Sequence, residues 1–328
     1  MQKMPHFKIS NQQGAALLAV LVVALVMVIL MGVVSELLQG RLELAQHSKD
    51  ALYNKALVYT KRSELIYLLT TQHHTAAGIS TGQSQVSQND DEQERSTFRP
   101  IGDELRTDGF SYQQESGLSY SIQNVDGLIP INSSSQYWLK HWLKLKGYRH
   151  TEQMKLADSL ADYADADNIR RAAGAEKGSY ASDKSNSALN SDKVVTNTEP
   201  RNFLLQACTE LWRIANWQVL LNHFPSFIQQ CSLRRTGGLN LNAVPLSLWN
   251  ILWPNSVDRV QSDRAKSKWF LSYSDIIAVE PSMLSVSDDY YTYLGNRTFK
   301  VYVELGNSNV IFHLEQGENR ALPFILRL

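Results

Sequence analysis

Five acidic residues in the middle of the chain have the spacing best suited to chemistry. Asp158, Asp162 and Asp165 are spaced i, i+4 and i+7, which places three carboxylates on one face of a helix. Asp167 and Glu176 follow in the next loop. Like charges at this spacing repel one another. A hard cation removes the repulsion, and calcium takes carboxylate and backbone oxygens as its ligands.

A salt-bridge network is the alternative interpretation of the same cluster. Arg170 and Arg171 lie within it and would neutralise the acids in solvent. The segment is not an EF-hand, because Ile169 and Arg170 stand where that loop needs an acid or amide and then a glycine. Residue types alone leave the metal site and the salt-bridge network both open.

Motifs of catalysis and of nucleic-acid binding are missing from the sequence. None of the 8 histidines lies in H-E-x-x-H, and there is neither a G-x-S-x-G motif nor a glycine-rich phosphate loop. His73 and His74 fall in a polar segment, residues 71–97, which predicts a mobile loop with both imidazoles in solvent. Lys and Arg total 32 against 32 Asp and Glu, so no global field attracts nucleic acid.

The two cysteines, Cys208 and Cys231, lack the C-x-x-C spacing of a zinc or thioredoxin-type site. They form either a disulfide or two buried thiols. An oxidising compartment favours the bond, and closing a loop of this length would stabilise the fold by about 3 kcal/mol.

Residues 15–34 contain no polar side chain. About twenty helical residues span the roughly 30 Å hydrocarbon core of a bilayer, so this segment predicts one transmembrane helix. Lys3 and Lys8 precede it without an acid, which keeps the N-terminus in the cytoplasm and places the bulk of the chain in the periplasm.

The helix is predicted to continue well beyond the membrane. Apolar residues recur at steps of three, four and seven, as on one face of a helix. They are Leu38, Leu42, Ala45, Leu52, Ala56, Tyr59, Ile66 and Leu69. The whole helix would reach roughly 80 Å. A signal anchor followed by an unrelated helix is the alternative.

Alternation of apolar and polar residues predicts strands on both sides of a helical region. Leu118, Tyr120 and Ile122 alternate near the middle of the chain, and residues 299–305 and 310–314 form a predicted hairpin around a turn at 306–308. Helical patterns lie between them at residues 135–148, 152–166, 208–228 and 243–253. Six tryptophans at helical spacing are predicted core of this region: Trp138, Trp142, Trp212, Trp217, Trp249 and Trp253.

The N-terminal segment resembles the class III signal of type IV pilins and pseudopilins. Its leader, MQKMPHFKISNQQG, is short and basic, ends in Gly14 and precedes an apolar helix that becomes amphipathic. The resemblance implies cleavage by prepilin peptidase between Gly14 and Ala15, followed by N-methylation of Ala15. The fifth mature residue is Ala19, where most of the family has glutamate.

The absence of this glutamate is typical of the protein K family of minor pseudopilins in type II secretion, which the chain resembles in this respect. In the family, the glutamate neutralises the terminal ammonium of the subunit ahead in the filament. An unpaired carboxylate in a bilayer is costly, and a subunit at the tip has no neighbour ahead. Ala19 therefore fits a tip position.

Four ordered stretches extend the resemblance to this family over most of the chain. They are Asp126-Gly127-Leu128-Ile129 with Asn132, residues 156–176, Asn202 with Thr209-Glu210-Leu211, and residues 239–245. The resemblance implies one calcium ion bound by Asp165, Asp167 and Glu176, with Asp162 as an outer charge. Lys177 and Gly178 depart from the family, which usually has more acids there.

The expected fold is α+β. A transmembrane pilin-like helix packs on an antiparallel sheet, with a large all-helical, SAM-like domain inserted. The predicted segments are a leader at 1–14, a transmembrane helix at 15–34, pilin-like elements at 35–132, the insertion at 133–285, and C-terminal strands at 286–328.

By the same resemblance, the chain is expected to be a non-enzymatic minor pseudopilin of the bacterial inner membrane that initiates and caps the pseudopilus for export of folded proteins. Its implied partners are the minor pseudopilins I and J, the major pseudopilin and prepilin peptidase. The alternatives are a minor pilin of a type IV pilus and a signal-anchored periplasmic enzyme.

Overall fold

The computed structural model describes residues 12–83, 98–177, 200–317 and 324–327, with side chains from residue 17 onward. Most of the predicted leader, residues 1–11, and residues 84–97 of the predicted mobile loop lie outside this part of the chain. The chain divides into two compact units, Met1–Leu57 and Val58–Leu328. Each is described by itself.

Helix α1, Gln12–Thr71, is continuous over 60 residues. Its described side chains are exposed from Leu17 to Tyr53. By length and composition it is the one helix of the described residues that is apolar enough to cross a membrane. The prediction that the apolar stretch continues into a longer helix is confirmed.

The C-terminal turns of α1 belong to the second unit and supply part of its core. Val58, Leu65 and Leu69 are at most 1% exposed. The residues of the predicted apolar stripe all lie in α1, but only part of the stripe is buried: Leu69 is fully buried, whereas Tyr59 is 44% exposed. The buried face is set by which turns reach the second unit, and periodicity along one helix does not contain that information.

The largest sheet of the described residues is antiparallel and has five strands: β3 (Asp108–Gln113), β4 (Ser119–Asn124), β9 (Thr298–Leu305), β10 (Ser308–Gln316) and β11 (Phe324–Arg327). Their order in the sheet is β11-β10-β9-β4-β3. Apolar and polar residues alternate along β4 and β9, and alternate side chains are buried. The predicted strand at 118–122 and the predicted hairpin are confirmed, and the mixed fold is α+β.

Three pairs of short strands complete the sheet structure of the described residues. Two strands, β1 (Gly78–Ser80) and β2 (Glu104–Arg106), pair antiparallel. In the other two pairs the strands run parallel and join distant parts of the chain. These are β5 (Ile129–Pro130) with β6 (Cys231–Ser232), and β7 (Leu239–Asn240) with β8 (Tyr291–Thr292).

The mobile-loop prediction is wrong for the start of the segment at 71–97, which contains β1. His74 is not solvated as predicted. Its ring lies 5.4 Å from that of Phe299, and its Nε2 lies 3.2 Å from the Leu69 carbonyl oxygen. Burial lowers the pKa of His74 to about 4, so the imidazole is neutral near pH 7. Tertiary packing against the sheet overrides the polar local sequence.

Between β4 and β9, the described residues include seven α-helices. They are α2 (Tyr137–Leu145), α3 (His150–Ala164), α4 (Trp217–His223), α5 (Phe227–Gln230), α6 (Leu246–Leu252), α7 (Val257–Ala265) and α8 (Tyr273–Val279). Their core contains four tryptophans that are at most 1% exposed, namely Trp138, Trp142, Trp217 and Trp249. Trp253 is 5% exposed, whereas Trp212 is half-buried.

The single helix predicted at residues 208–228 is wrong. The segment contains a 3₁₀ helix, Cys208–Arg213, followed by α4 and α5. Asn216 adopts a left-handed backbone with φ of 70°, which interrupts the helical path. Pro225 lacks a backbone N–H and separates α4 from α5.

A buried ion pair ties the helical region to the sheet. Arg264 on α7 donates from Nη1 to Asp108 Oδ2 of β3 and to the Val244 carbonyl oxygen, both at 2.8 Å, and from Nη2 to the Leu241 carbonyl oxygen at 3.0 Å. The two side chains are 3% and 1% exposed. Burial lowers the pKa of Arg264 to about 10, while Asp108 favours the charged form. Arg106 also pairs with Asp108.

We expect Asp108→Asn to destabilise the protein by about 3–5 kcal/mol, because Arg264 would remain buried without its counter-charge. Urea unfolding of the detergent-solubilised full-length chain, followed by tryptophan fluorescence, measures the loss. All 7 tryptophans lie between residues 138 and 269. The matched control is Arg149→Gln, which breaks a pair whose side chains are 82% and 43% exposed. It should cost less than about 1 kcal/mol. Equal losses would contradict a special role for the buried pair.

Candidate functional site

The acidic cluster forms where α3 ends and the chain turns back. Asp165 caps the C-terminus of α3, and its backbone N–H donates to the Ala161 carbonyl at 2.9 Å. Asp167 follows in an Asx turn, in which its Oδ1 accepts from the Ile169 N–H at 2.8 Å. The loop then returns Glu176 to the same place.

Asp165, Asp167 and Glu176 each offer a carboxylate oxygen, and these oxygens all lie within 4.8 Å of one another. Asp167 is exposed, Asp165 is half-buried and Glu176 is buried. These are the three residues that the sequence resemblance singles out as ligands. The structure brings them together, and the donor set consists of the hard oxygens that calcium prefers.

Glu176 is the residue of the cluster least satisfied by the protein. It is 7% exposed, and no side chain of the described residues donates a hydrogen bond to either of its carboxylate oxygens. Burial raises the pKa of Glu176, and the Asp162 and Asp165 carboxylates raise it further, although the Lys177 amide opposes the shift. A buried carboxylate without a partner is costly, and a bound cation would remove that cost.

Asp162 plays a different part, because it organises the loop instead of joining the three clustered oxygens. It is fully buried and accepts from the Arg171 backbone N–H at 3.2–3.3 Å and from Arg171 Nη1 at 2.8 Å. A Cβ atom on Gly174 would overlap Asp162 Oδ2. A larger residue at position 174 would therefore have to displace the Asp162 carboxylate.

The two arginines of the cluster differ in their contacts. Arg171 Nη1 bridges Asp162 and Asp165, and its side chain is 43% exposed. These hydrogen bonds, first with Asp165 and then with Asp162, raise the pKa of Arg171. Arg170 instead donates from Nε to the Gly174 carbonyl oxygen at 2.9 Å. The salt-bridge interpretation is therefore correct for Arg171, which pairs with Asp162 and Asp165. Those salt bridges do not include Glu176.

Asn202 contacts the same loop and was not predicted as a site residue. Its Nδ2 donates to the Asp167 carbonyl oxygen at 3.2 Å and to Asn168 Oδ1 at 3.0 Å. Its backbone is left-handed, with φ of 53°. In the sequence, Asn202 belongs only to the third matched stretch, and its proximity to Asp167 arises from the fold.

The other stretches that carry the family resemblance act as structural braces. Asp126 Oδ2 accepts from the Asn296 N–H at 2.7 Å, and Asp126 pairs with Arg234. Asn132 donates to the Leu205 and Leu233 carbonyl oxygens. These contacts join the end of β4 to segments more than seventy residues away in sequence.

Another brace joins two of the motifs to each other. A Cβ atom on Gly127 would overlap the Ala243 carbonyl group, so the first and last of the four matched stretches meet at this glycine. Asn242, in the last stretch, donates from Nδ2 to the carbonyl oxygens of Phe270 and Tyr293. These residues support the helical region and take no part in the acidic cluster.

The structure joins Cys208 and Cys231 by a disulfide, with the Cα atoms 6.3 Å apart. That separation lies within the ordinary range for a disulfide. The bond connects the 3₁₀ helix at Cys208–Arg213 to β6. Oxidation of this pair in the cell stays a prediction.

The N-terminal residues singled out in the sequence all lie in α1. Gly14 and Ala15 belong to its first turn, and Ala19 is exposed one turn later. The cleavage after Gly14 and the role of Ala19 come from the sequence resemblance. Both stay predictions.

No protein-family profile and no curated protein sequence matches the chain. Among solved structures, a chain of the GspK-GspI-GspJ complex from the type 2 secretion system of enterotoxigenic Escherichia coli is similar to it. The alignment covers 87% of this chain and 97% of that chain, with a TM-score of 0.48 and 12% sequence identity. At this level of similarity, the function has to be inferred from this chain's own residues and contacts.

Proposed function

We propose that this protein is a minor pseudopilin of a type II secretion system, anchored by α1 in the bacterial inner membrane with its bulk in the periplasm. One observation carries the proposal. A single helix of 60 residues contains the apolar stretch and then enters the core beside a five-stranded antiparallel sheet. Such a chain combines a membrane anchor with a folded unit that neighbouring subunits can bind.

The tip position is supported by the chemistry of α1 and by the size of the insertion. Ala19 gives the membrane stretch no carboxylate with which to bind the terminal ammonium of a subunit ahead. The chain between β4 and β9, residues 125–297, adds a large helical region. Such a region is readily placed at the end of a filament, whereas inside a closely packed shaft it would collide with the next subunit. The work of the protein is then mechanical: it initiates and caps the pseudopilus.

The proposed partners are the minor pseudopilins I and J, with the major pseudopilin added beneath and prepilin peptidase acting on the leader. These come from the sequence resemblance. A minor pilin of a type IV pilus is the nearest alternative. Neighbouring genes for a secretin and a secretion ATPase, without pilus-retraction genes, would favour the secretion system.

A signal-anchored enzyme is the alternative from another class. An open depression of about 550 Å³ near α7 and α8 is lined by charged residues that include Arg264 and Asp275. Arg264 is committed to Asp108. Asp275 accepts from the Leu271 and Ser272 N–H groups as a helix cap, and these hydrogen bonds help to lower its pKa. Both side chains have structural partners.

Calcium is the proposed ligand of Asp165, Asp167 and Glu176, with one ion in the site. Its role is to stabilise the helical region, because it would compensate the buried Glu176 carboxylate and hold the loop to the end of α3. A ligand that binds only the native state stabilises it by about 2.7 kcal/mol at a hundredfold excess over Kd.

Of the three predictions that test the proposed function, the first concerns processing. Mass spectrometry of the membrane-extracted protein should show loss of residues 1–14 and one added methyl group on Ala15. The change depends on prepilin peptidase, so cells without active peptidase should contain the full-length chain. A full-length mass in cells with active peptidase would contradict the pseudopilin assignment.

The second prediction concerns assembly. The detergent-solubilised full-length protein should co-purify with the minor pseudopilins I and J from the same cells. Overproduction should give more and shorter pseudopili, because each copy starts a new filament. Gold labelling should place the protein at filament ends. Labelling at regular intervals along the shaft would rule out a capping subunit, and co-purification with pilus components alone would favour the type IV alternative.

The third prediction concerns calcium. Millimolar calcium should raise the melting temperature of the solubilised protein and chelator should lower it, whereas magnesium should do little because it dehydrates reluctantly. Asp165→Asn with Asp167→Asn should abolish the difference between calcium and chelator. Glu115→Gln is the control, since it removes an exposed acid from the turn between β3 and β4. Identical melting curves in calcium and in chelator would leave the cluster without a metal role.

A further inference from the structure

The contacts of Arg171 are those of a cation that already occupies part of the acidic cluster. Its Nη1 hydrogen-bonds Asp162 and Asp165 together. Asp165 is also one of the three residues whose oxygens lie within 4.8 Å of one another. The Asp165 carboxylate therefore contacts the Arg171 guanidinium and would also bind the proposed metal ion.

The arginine neutralises only one side of the cluster. Asp165 Oδ1 is buried and has no hydrogen-bond partner among the described residues, and no side chain of those residues donates to either oxygen of Glu176. Glu176 is more than nine-tenths buried. The loop is thus held closed by Arg171, while oxygens suited to a metal stay unsatisfied beside it.

The geometry also allows Arg171 to leave Asp165. Its side chain is 43% exposed, so the guanidinium has solvent beside it. Asp162 would retain the Arg171 backbone N–H as a donor, because that contact does not involve the side chain. Moving the guanidinium would free the remaining oxygen of Asp165 without opening the loop.

We propose that Arg171 is an internal competitor of the metal ion. Without calcium, it neutralises Asp165 and keeps the loop folded. When calcium binds, the guanidinium gives up Asp165 and moves toward solvent. Arg171 thereby sets the calcium concentration at which the site fills. This inference rests on the calcium site proposed above.

Arg171→Gln in the detergent-solubilised full-length chain separates this role from a merely structural one. Titration calorimetry with calcium should show binding about tenfold tighter than in the wild type, the effect of losing one charge-assisted hydrogen bond that opposes binding. In chelator, the same variant should melt at a lower temperature, because the empty loop loses its counter-charge. A residue that only supports the loop would weaken both the fold and the binding.

Two further variants test whether the change in calcium affinity depends on the contacts of Arg171 with the carboxylates. Arg170→Gln removes the same charge from the neighbouring residue, whose Nε contacts the Gly174 carbonyl oxygen and not a carboxylate. Its calcium affinity should change by about twofold or less, as expected for a long-range screened charge. Arg171→Lys keeps a positive charge but loses the fork of the guanidinium. Its affinity should lie between those of the wild type and Arg171→Gln.

Each outcome decides between the two proposals. Tighter binding with a lower melting temperature supports the competitor. Unchanged or weaker binding by Arg171→Gln, with calcium still bound by the wild type, overturns the competitor and leaves the calcium site standing. Binding by Arg171→Gln alone supports the competitor and removes calcium from the wild-type protein. Binding by neither chain overturns both.

Discussion

The pairing of β4 with β9 constrains the chain that lies between them. These strands are direct neighbours in the sheet, with Ile122 opposite Val301. Residues 125–297 must therefore leave the sheet and return to it at adjacent points. The parallel pairs β5–β6 and β7–β8 lie beside these exits. Asp126, which follows β4, accepts a hydrogen bond from the Asn296 N–H, two residues before β9 begins. This contact joins the two ends of the helical region. The helical region is thus held to the sheet where the chain leaves and re-enters it, in addition to the buried pair of Arg264 and Asp108.

Local patterns predicted the elements whose buried face repeats along the sequence. The continuation of α1, the strand at 118–122, the C-terminal hairpin and the tryptophan core follow from periodicity because their packing is regular. Prediction failed where one residue changes the backbone path, as at Asn216, or where packing of a polar segment decides the outcome, as at His74. The pair of Asp108 and Arg264 is 156 residues apart in sequence, and no local pattern relates two such residues.

The candidate site was predictable to a similar degree. Carboxylates at the end of a helix and in the following loop can be read from spacing, and the family resemblance selected Asp165, Asp167 and Glu176 from among them. Their partners could not be assigned in the same way. Arg170 and Arg171 are adjacent and chemically alike, yet only Arg171 reaches the carboxylates. The turn between α3 and Glu176 decides which guanidinium faces inward, and Gly174 makes that turn close enough for Asp162 to be enclosed.

Two buried carboxylates in this fold show how a structural acid differs from a ligand. Asp108 is 3% exposed, and its oxygens are occupied by Arg106 and Arg264. Glu176 is nearly as buried, at 7%, but no side chain of the described residues donates a hydrogen bond to either of its oxygens. A protein that needed Glu176 only for packing would be more stable with an apolar side chain of similar size, since an unpaired buried carboxylate is destabilising. The cost of retaining it is understandable if its partner arrives from solution.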